Sequence, residues 1–261
     1  MTRFHVRTAG LLAALAVPAI LFSADLPWVG KWKINLAASD FGETTTTYAD
    51  LGSGEMQWTA DGMSMKFKMD GKDYPDPLGG TSAWKQLDAA TWETVNKLNG
   101  KVLNTDTTKL SADGKTLTIA TRGTKPNGTP LDTVAVLSRV SGGPGLAGKW
   151  KTNQVTNNSP SLIEIAAFDT DGLAVRVPAF DSRWSAKFDG KDYPIEGPNV
   201  PAGITIALRR TGPRSYDFTR KHSGKELNKG SVAVSDDGKT TTVIGMAVGS
   251  NEKTKAVYDR Q

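Results

Sequence analysis

The chain contains no cysteine in 261 residues and only two histidines, His5 and His222. Without thiols there is no disulfide, no thiolate nucleophile and no Cys-ligated metal. His5 falls in a stretch that reads as a removable export signal, which leaves His222 alone. One imidazole cannot build a multi-His metal site and permits at most one Ser-His-Asp arrangement. Paired carboxylates remain as acid/base chemistry, but no spacing nominates a pair. These absences count against the common hydrolase and metalloenzyme designs, so the expectation is a protein that is not an enzyme, with no cofactor and no metal.

Long apolar runs are equally scarce. Ala9–Phe22 is the single candidate, broken by Gly10 and Pro18, preceded by Arg3 and Arg7 and followed by the small residues Ser23 and Ala24. That order of basic, apolar and small residues is the layout of a secretory signal over residues 1–24, too short and too closely followed by Pro27 for a spanning helix. The expected location is exported, periplasmic or extracellular, with no membrane span in the mature chain. Removal of two arginines and no acids leaves a formal charge of 30 − 27 = +3. That excess is modest and scattered through turns, so nucleic acid is not expected as a partner.

What the chain does have is repetition. Asp-Gly-Lys-Asp-Tyr-Pro stands at Asp70–Pro75 and at Asp189–Pro194, Gly-Lys-Trp-Lys at Gly30–Lys33 and Gly148–Lys151, and Asp-Gly-Lys-Thr at Asp113–Thr116 and Asp237–Thr240. The separations are 189 − 70 = 119, 148 − 30 = 118 and 237 − 113 = 124 residues. Three landmarks in one order at nearly one spacing mean two copies of one unit. Ser141-Gly142-Gly143-Pro144-Gly145 punctuates them. The expected organisation is a first repeat over residues 26–140, a linker at 141–145 and a second repeat over 146–261.

The local pattern is β. Asp-Gly pairs at Asp61, Asp70, Asp113, Asp171, Asp189 and Asp237, with Asn99-Gly100 and Asn127-Gly128, supply the positive backbone angles of tight hairpins. Between them, segments such as Met63–Met69, Thr116–Thr121, Val134–Leu137 and Gly203–Leu208 alternate or run apolar over short lengths. Leu36–Phe41 suits a short helical turn. An antiparallel meander of roughly 115 residues holds about eight strands and must hide its edges, which closure does. The fold expected is all-β: two tandem antiparallel meander barrels of about eight strands each.

Val29-Gly-Lys-Trp-Lys and Ala147-Gly-Lys-Trp-Lys each place Gly-x-Trp at the start of a first strand. This resembles the opening of lipocalins and their calycin relatives, small-ligand-binding β-barrels. The resemblance implies that Trp32 and Trp150 pack across the closed end of a barrel as structural plugs. The Asp-Gly-Lys-Asp-Tyr-Pro segment also resembles one in uncharacterised secreted bacterial proteins with similar openings, a likeness that implies no activity.

The remaining motifs have plain readings. The hexapeptides form turns with Tyr74 and Tyr193 packed beneath. Asp169-Thr-Asp171-Gly172 begins like a calcium loop but lacks the later oxygen ligands and closing Glu. His222 reads as an exposed loop residue.

The copies differ in one hairpin. With the offset of 124 carried backwards from the Asp-Gly-Lys-Thr turns, Trp84 matches Leu208, Gln86 matches Arg210, Trp92 matches Tyr216, Thr94 matches Phe218 and Asn96 matches Arg220. If the shared faces point inward, Arg210, Arg220 and Tyr216 join Leu208 and Phe218 in the second barrel. An amphipathic anion such as a fatty acid suits that lining, because a guanidinium takes a carboxylate while the tail buries apolar area. The first barrel, with Trp84 and Trp92, is expected to hold an aromatic, neutral cavity. The plainer reading leaves the arginines at the solvent end of a hairpin. The function expected is therefore a secreted, non-catalytic binding protein for a small apolar or amphipathic ligand. The alternative is a structural or interaction module with solidly packed domains and no ligand.

Overall fold

The computed structural model describes residues 26–40, 44–250 and 253–261, so the segment read as an export signal lies outside the described residues. The first repeat supplies β1 (Gly30–Ile34), β2 (Thr45–Gly52), β3 (Glu55–Ala60), β4 (Met63–Lys68), β5 (Asp70–Pro75), β6 (Thr81–Asp88), β7 (Thr91–Leu98), β8 (Lys101–Leu110), β9 (Thr116–Thr124) and β10 (Pro130–Ser141). The second supplies β11 (Gly148–Asn157), β12 (Leu162–Ala167), β13 (Gly172–Val177), β14 (Ser182–Lys187), β15 (Tyr193–Glu196), β16 (Ile204–Gly212), β17 (Ser215–His222), β18 (Lys225–Val234), β19 (Thr240–Ala247) and β20 (Thr254–Arg260). Each strand of one repeat has its counterpart ten places on. The helical turn read at 36–41 is a 3-10 turn over Leu36–Ala38. The protein is all-β, and each unit has ten strands where about eight were expected, because two-residue Asp-Gly and Asn-Gly turns spend so little chain between them.

The sheets do not divide the chain where the repeats do. β1 pairs with β12 and β20, closing a barrel in the order β1-β12-β13-β14-β15-β16-β17-β18-β19-β20. β11 pairs with β10 and β2, completing the first unit's ten-stranded sheet, which runs from β4 through β3, β2, β11 and β10 to β5. The Gly-Lys-Trp-Lys strand of each repeat thus completes the sheet of the other. The boundary read from the sequence at 141–145 is not a boundary between sheets. Locality explains the exchange: after β10 the short Gly/Pro turn brings β11 back as an antiparallel hairpin, the least costly pairing available to it. β1 is left to fill the matching gap in the other unit. The two sheets differ in closure. Ladders run all the way around the second, including β14 to β15, whereas no ladder joins β4 to β5 and the first sheet curls to a seam there.

The repeated motifs account for the shared architecture. Trp32 and Trp150 are fully buried, and each indole N–H donates to a backbone carbonyl four residues back, on Trp28 and Leu146. An arginine covers each ring: Arg260 at 4.3 Å from the Trp32 ring centre and Arg139 at 4.1 Å from that of Trp150. Arg260 also donates to the carbonyls of Gly238, Val29 and Pro27, and Arg139 to those of Gly114, Ala147 and Gly145. The glycine of the motif follows from this. A Cβ on Gly30 would stand 2.5 Å from Arg260 Nη1, and one on Gly148 would stand 2.8 Å from Arg139 Nη1. In the hexapeptides, Asp70 accepts from Lys72 N–H and the Tyr74 hydroxyl, and Asp189 accepts likewise from Lys191 and Tyr193. In the later turns Asp113 and Asp237 each accept from a serine two residues before and a lysine N–H two residues after. The aspartate contacts are local braces that recur in both copies.

Candidate functional site

The interior of the closed barrel is set by the inward faces of β16 and β17. Ile206, Leu208 and Arg210 share one face, and Tyr216, Phe218 and Arg220 share the next, as the alternation predicts. The closed end is packed solid: Trp28 lies against Phe188 and Tyr216 with ring centres 5.4 and 5.2 Å apart. Above it the wall opens on a cavity of about 170 Å³, floored by Trp32 and lined by aliphatic residues of β12, β13, β16, β18 and β19 with Trp184, Tyr216, Phe218 and Tyr258. Thr241 on its wall is 5 % exposed, and its Oγ1 has no hydrogen-bond partner among the described residues.

Arg220 is the one charged residue on this lining. Its side chain is accessible to solvent, yet the surrounding protein desolvates the guanidinium and lowers its pKa, with Tyr258 and Tyr216 opposing the shift. The guanidinium stands on the cavity wall with access to solvent. No carboxylate pairs with it among the described residues; its contact is the Phe218 ring, 5.9 Å away. Burial pushes the Tyr216 and Tyr258 phenols up as well, so both stay neutral donors at physiological pH.

Two residues expected beside Arg220 are elsewhere. Arg210 does not line the cavity. It sits over the closed end, 4.7 Å from the Phe188 ring, and its Nη2 is 2.8 Å from Asp171. It stands opposite Tyr216 across the hairpin, four residues along β16 from Ile206 on the cavity wall. Leu208 is fully buried in the core and does not reach the cavity wall. Asp171 in this ion pair, and Asp169 bound to Lys187, also account for the calcium-like sequence as turn and tether. Among the described residues no group of three His, Asp or Glu is placed to hold a metal ion.

The first sheet encloses a larger cavity of about 310 Å³. Trp84 lines it, held by a stacked Phe67 at 4.2 Å and an edge-on Tyr48 at 5.9 Å. Trp92 does not line it; at 3 % exposure it is packed into the core. The expectation of a neutral cavity is also corrected, because Asp106 of β8 and Asp76 of the β5–β6 loop both line it. Asp106 accepts from Thr121 Oγ1 at 2.6 Å and from Asn96 Nδ2 at 2.8 Å. Desolvation nonetheless raises its pKa above the usual carboxylate range.

Asp106 escaped the sequence reading for a physical reason. Asn104, Asp106 and Thr108 alternate with Leu103, Thr105 and Thr107, so neither face of β8 contrasts in polarity and neither declares itself inward. The usable signal was the repeat offset. Carried one strand further, it sets Asp106 against Gly230, and the cross-strand pairs become Thr94–Asp106 in one sheet and Phe218–Gly230 in the other.

Compared with protein-family models, curated proteins and solved structures, the chain matches none of them. Among the described residues no helix is long and apolar enough to cross a membrane.

Proposed function

We propose that this is an exported, non-catalytic binding protein whose closed barrel takes a small molecule with an apolar body and one carboxylate. The observation that carries the reading is Arg220, the single charge on an otherwise apolar and aromatic cavity, with no carboxylate paired to it among the described residues. A guanidinium in such surroundings forms a strong two-pronged bond to a carboxylate, and the unpartnered Thr241 hydroxyl offers a second polar contact. The volume refines the ligand. At about 170 Å³ the cavity is smaller than the roughly 300–1,000 Å³ of sites for drug-sized molecules. A short-chain or single-ring carboxylate fits better than a long fatty acid. The interaction-module alternative calls for solid interiors, and cavities in both units weigh against it. Full burial of both Gly-x-Trp indoles supports reading them as structural plugs.

The test is calorimetric titration of the mature protein with 3-phenylpropionate. Arg220→Met is expected to weaken binding about 10- to 100-fold, the worth of one charge-assisted contact, while Arg210→Met leaves it nearly unchanged. Equal affinity in wild type and Arg220→Met sinks the proposal.

A further inference from the structure

The two interiors carry opposite charge. The closed barrel presents a single guanidinium and no acid; the curled sheet presents two carboxylates, Asp106 and Asp76, and no lysine or arginine on its cavity lining. The difference arises at cross-strand pairs. In the closed barrel Phe218 faces Gly230, where an added Cβ would stand 1.9 Å from the Ile244 carbonyl oxygen and 2.9 Å from the Phe218 ring, so no side chain fits. In the curled sheet the corresponding pair is Thr94 and Asp106.

Two further groups point to an occupant. Trp84 is 6 % exposed and Thr94 is 3 % exposed, both line the cavity, and neither Trp84 Nε1 nor Thr94 Oγ1 has a hydrogen-bond partner among the described residues. Buried polar groups without partners are uncommon and costly; the Thr94 hydroxyl can accept from a ligand ammonium, and the Trp84 N–H can donate to the face of an aromatic ligand body. Asp76 leaves one carboxylate oxygen less engaged: its Oδ1 accepts from the N–H groups of Leu78 and Gly80. Trp58, Trp84, Tyr48, Met63 and Met65 provide the aromatic and thioether walls, surfaces suited to an organic cation through ring faces and polarisable sulfur.

We infer that the curled first sheet is a separate binding site for a small organic cation, with the ammonium at Asp106 and an apolar or aromatic body against Trp84 and Trp58. The Asn96 and Thr121 donors fix the carboxylate's orientation, and Ser82 and Asn104 in turn hold Asn96 through contacts of 2.8 and 2.7 Å. The seam between β4 and β5, where no ladder seals the sheet, borders the same region through Met63 and Met65. This site is independent of the carboxylate site, so the protein carries two cavities that select ligands of opposite sign.

The experiment titrates the mature protein with phenethylammonium chloride and, in parallel, with the anionic isostere 3-phenylpropionate. The expected result is saturable binding of phenethylammonium that Asp106→Asn weakens at least about 10-fold and Arg220→Met leaves unchanged. For 3-phenylpropionate the two variants exchange roles. Because Asp106→Asn could disturb the Asn96 network, indole N–H resonances are followed in wild type as well, and the Trp84 signal is expected to shift on saturation. No binding at millimolar phenethylammonium, equal affinity in Asp106→Asn, or a shift confined to indoles outside this cavity each overturns the inference. Failure of the carboxylate arm alone overturns only the reading of the closed barrel.

Discussion

The guanidinium of Arg260 lies 4.3 Å from the centre of the Trp32 indole, so that the last described strand covers a ring supplied by the first. Arg139 and Trp150 repeat the relationship in the other unit. Each plug is therefore built from both repeats, a tryptophan from one and an arginine from the other. The same exchange that moves β1 and β11 between sheets makes the two units depend on each other.

Trp32→Ala is expected to destabilise the sheet formed by the second repeat, although Trp32 belongs to the first. Removing a fully buried indole costs about 3–5 kcal/mol, and loss of the Arg260 stack adds to it. Hydrogen exchange followed by mass spectrometry gives the check. Protection should fall first in β12–β20, and a fall confined to β2–β10 would falsify the exchange.

Cleavage at the linker should not separate the halves. With a protease site placed between Gly143 and Pro144, the two fragments are expected to co-elute under native conditions, because β1 and β11 each remain in the partner's sheet. Fragments that elute apart as folded monomers contradict the topology. The reason is energetic: withdrawing either strand exposes two unpaired edges at once.

Gly230→Ala is expected to cost about 2 kcal/mol or more. An added Cβ would stand 1.9 Å from the Ile244 carbonyl oxygen and 2.9 Å from Phe218, and the first of these is backbone that cannot rotate away. Urea unfolding measures it. A change within a few tenths of a kcal/mol would show that β18 and β19 yield more freely than the ladder implies.

Asp106 should make stability depend on pH in a defined direction. Tyr48 of β2, Asn96 of β7, Thr121 of β9 and Asp76 across the cavity face its carboxyl, and desolvation raises its pKa. A raised folded-state value means the folded protein holds this proton more tightly than the unfolded chain. The group's contribution is then favourable below the unfolded value of about 3.9 and is lost as pH rises through the folded value. Unfolding free energies of wild type and Asp106→Asn, compared from about pH 3 to pH 7, should shift in favour of the variant as pH rises. Parallel curves would mean that Asp106 is not desolvated.

Much of the fold was legible because it rests on local rules. Asp113 and Asp237 announce their turns through Asp-Gly-Lys-Thr, and alternation along Tyr216-Asp217-Phe218-Thr219-Arg220 put Tyr216, Phe218 and Arg220 on one face, where the structure has them. Arg220 was legible as a cavity-lining residue for the same reason. Arg210 was not separable from it, because alternation gives a residue's face and not its depth along the barrel axis. Two positions further toward the strand end, Arg210 meets Asp171 and the closed-end aromatics instead of the cavity. Trp92 and Leu208 failed in the same way.

The sequence by itself determined the repeat, the β period, the turns and the inward face of the β16–β17 hairpin, since each depends on residues near one another along the chain. Tertiary structure decided the rest. Which sheet receives β1 and β11 depends on the competition between a local hairpin and distant closure. The opposite charge of the two interiors depends on which residues meet across strand pairs, Phe218 with Gly230 in one sheet and Thr94 with Asp106 in the other. Both are questions of which distant groups share one volume, and no local pattern encodes the answer.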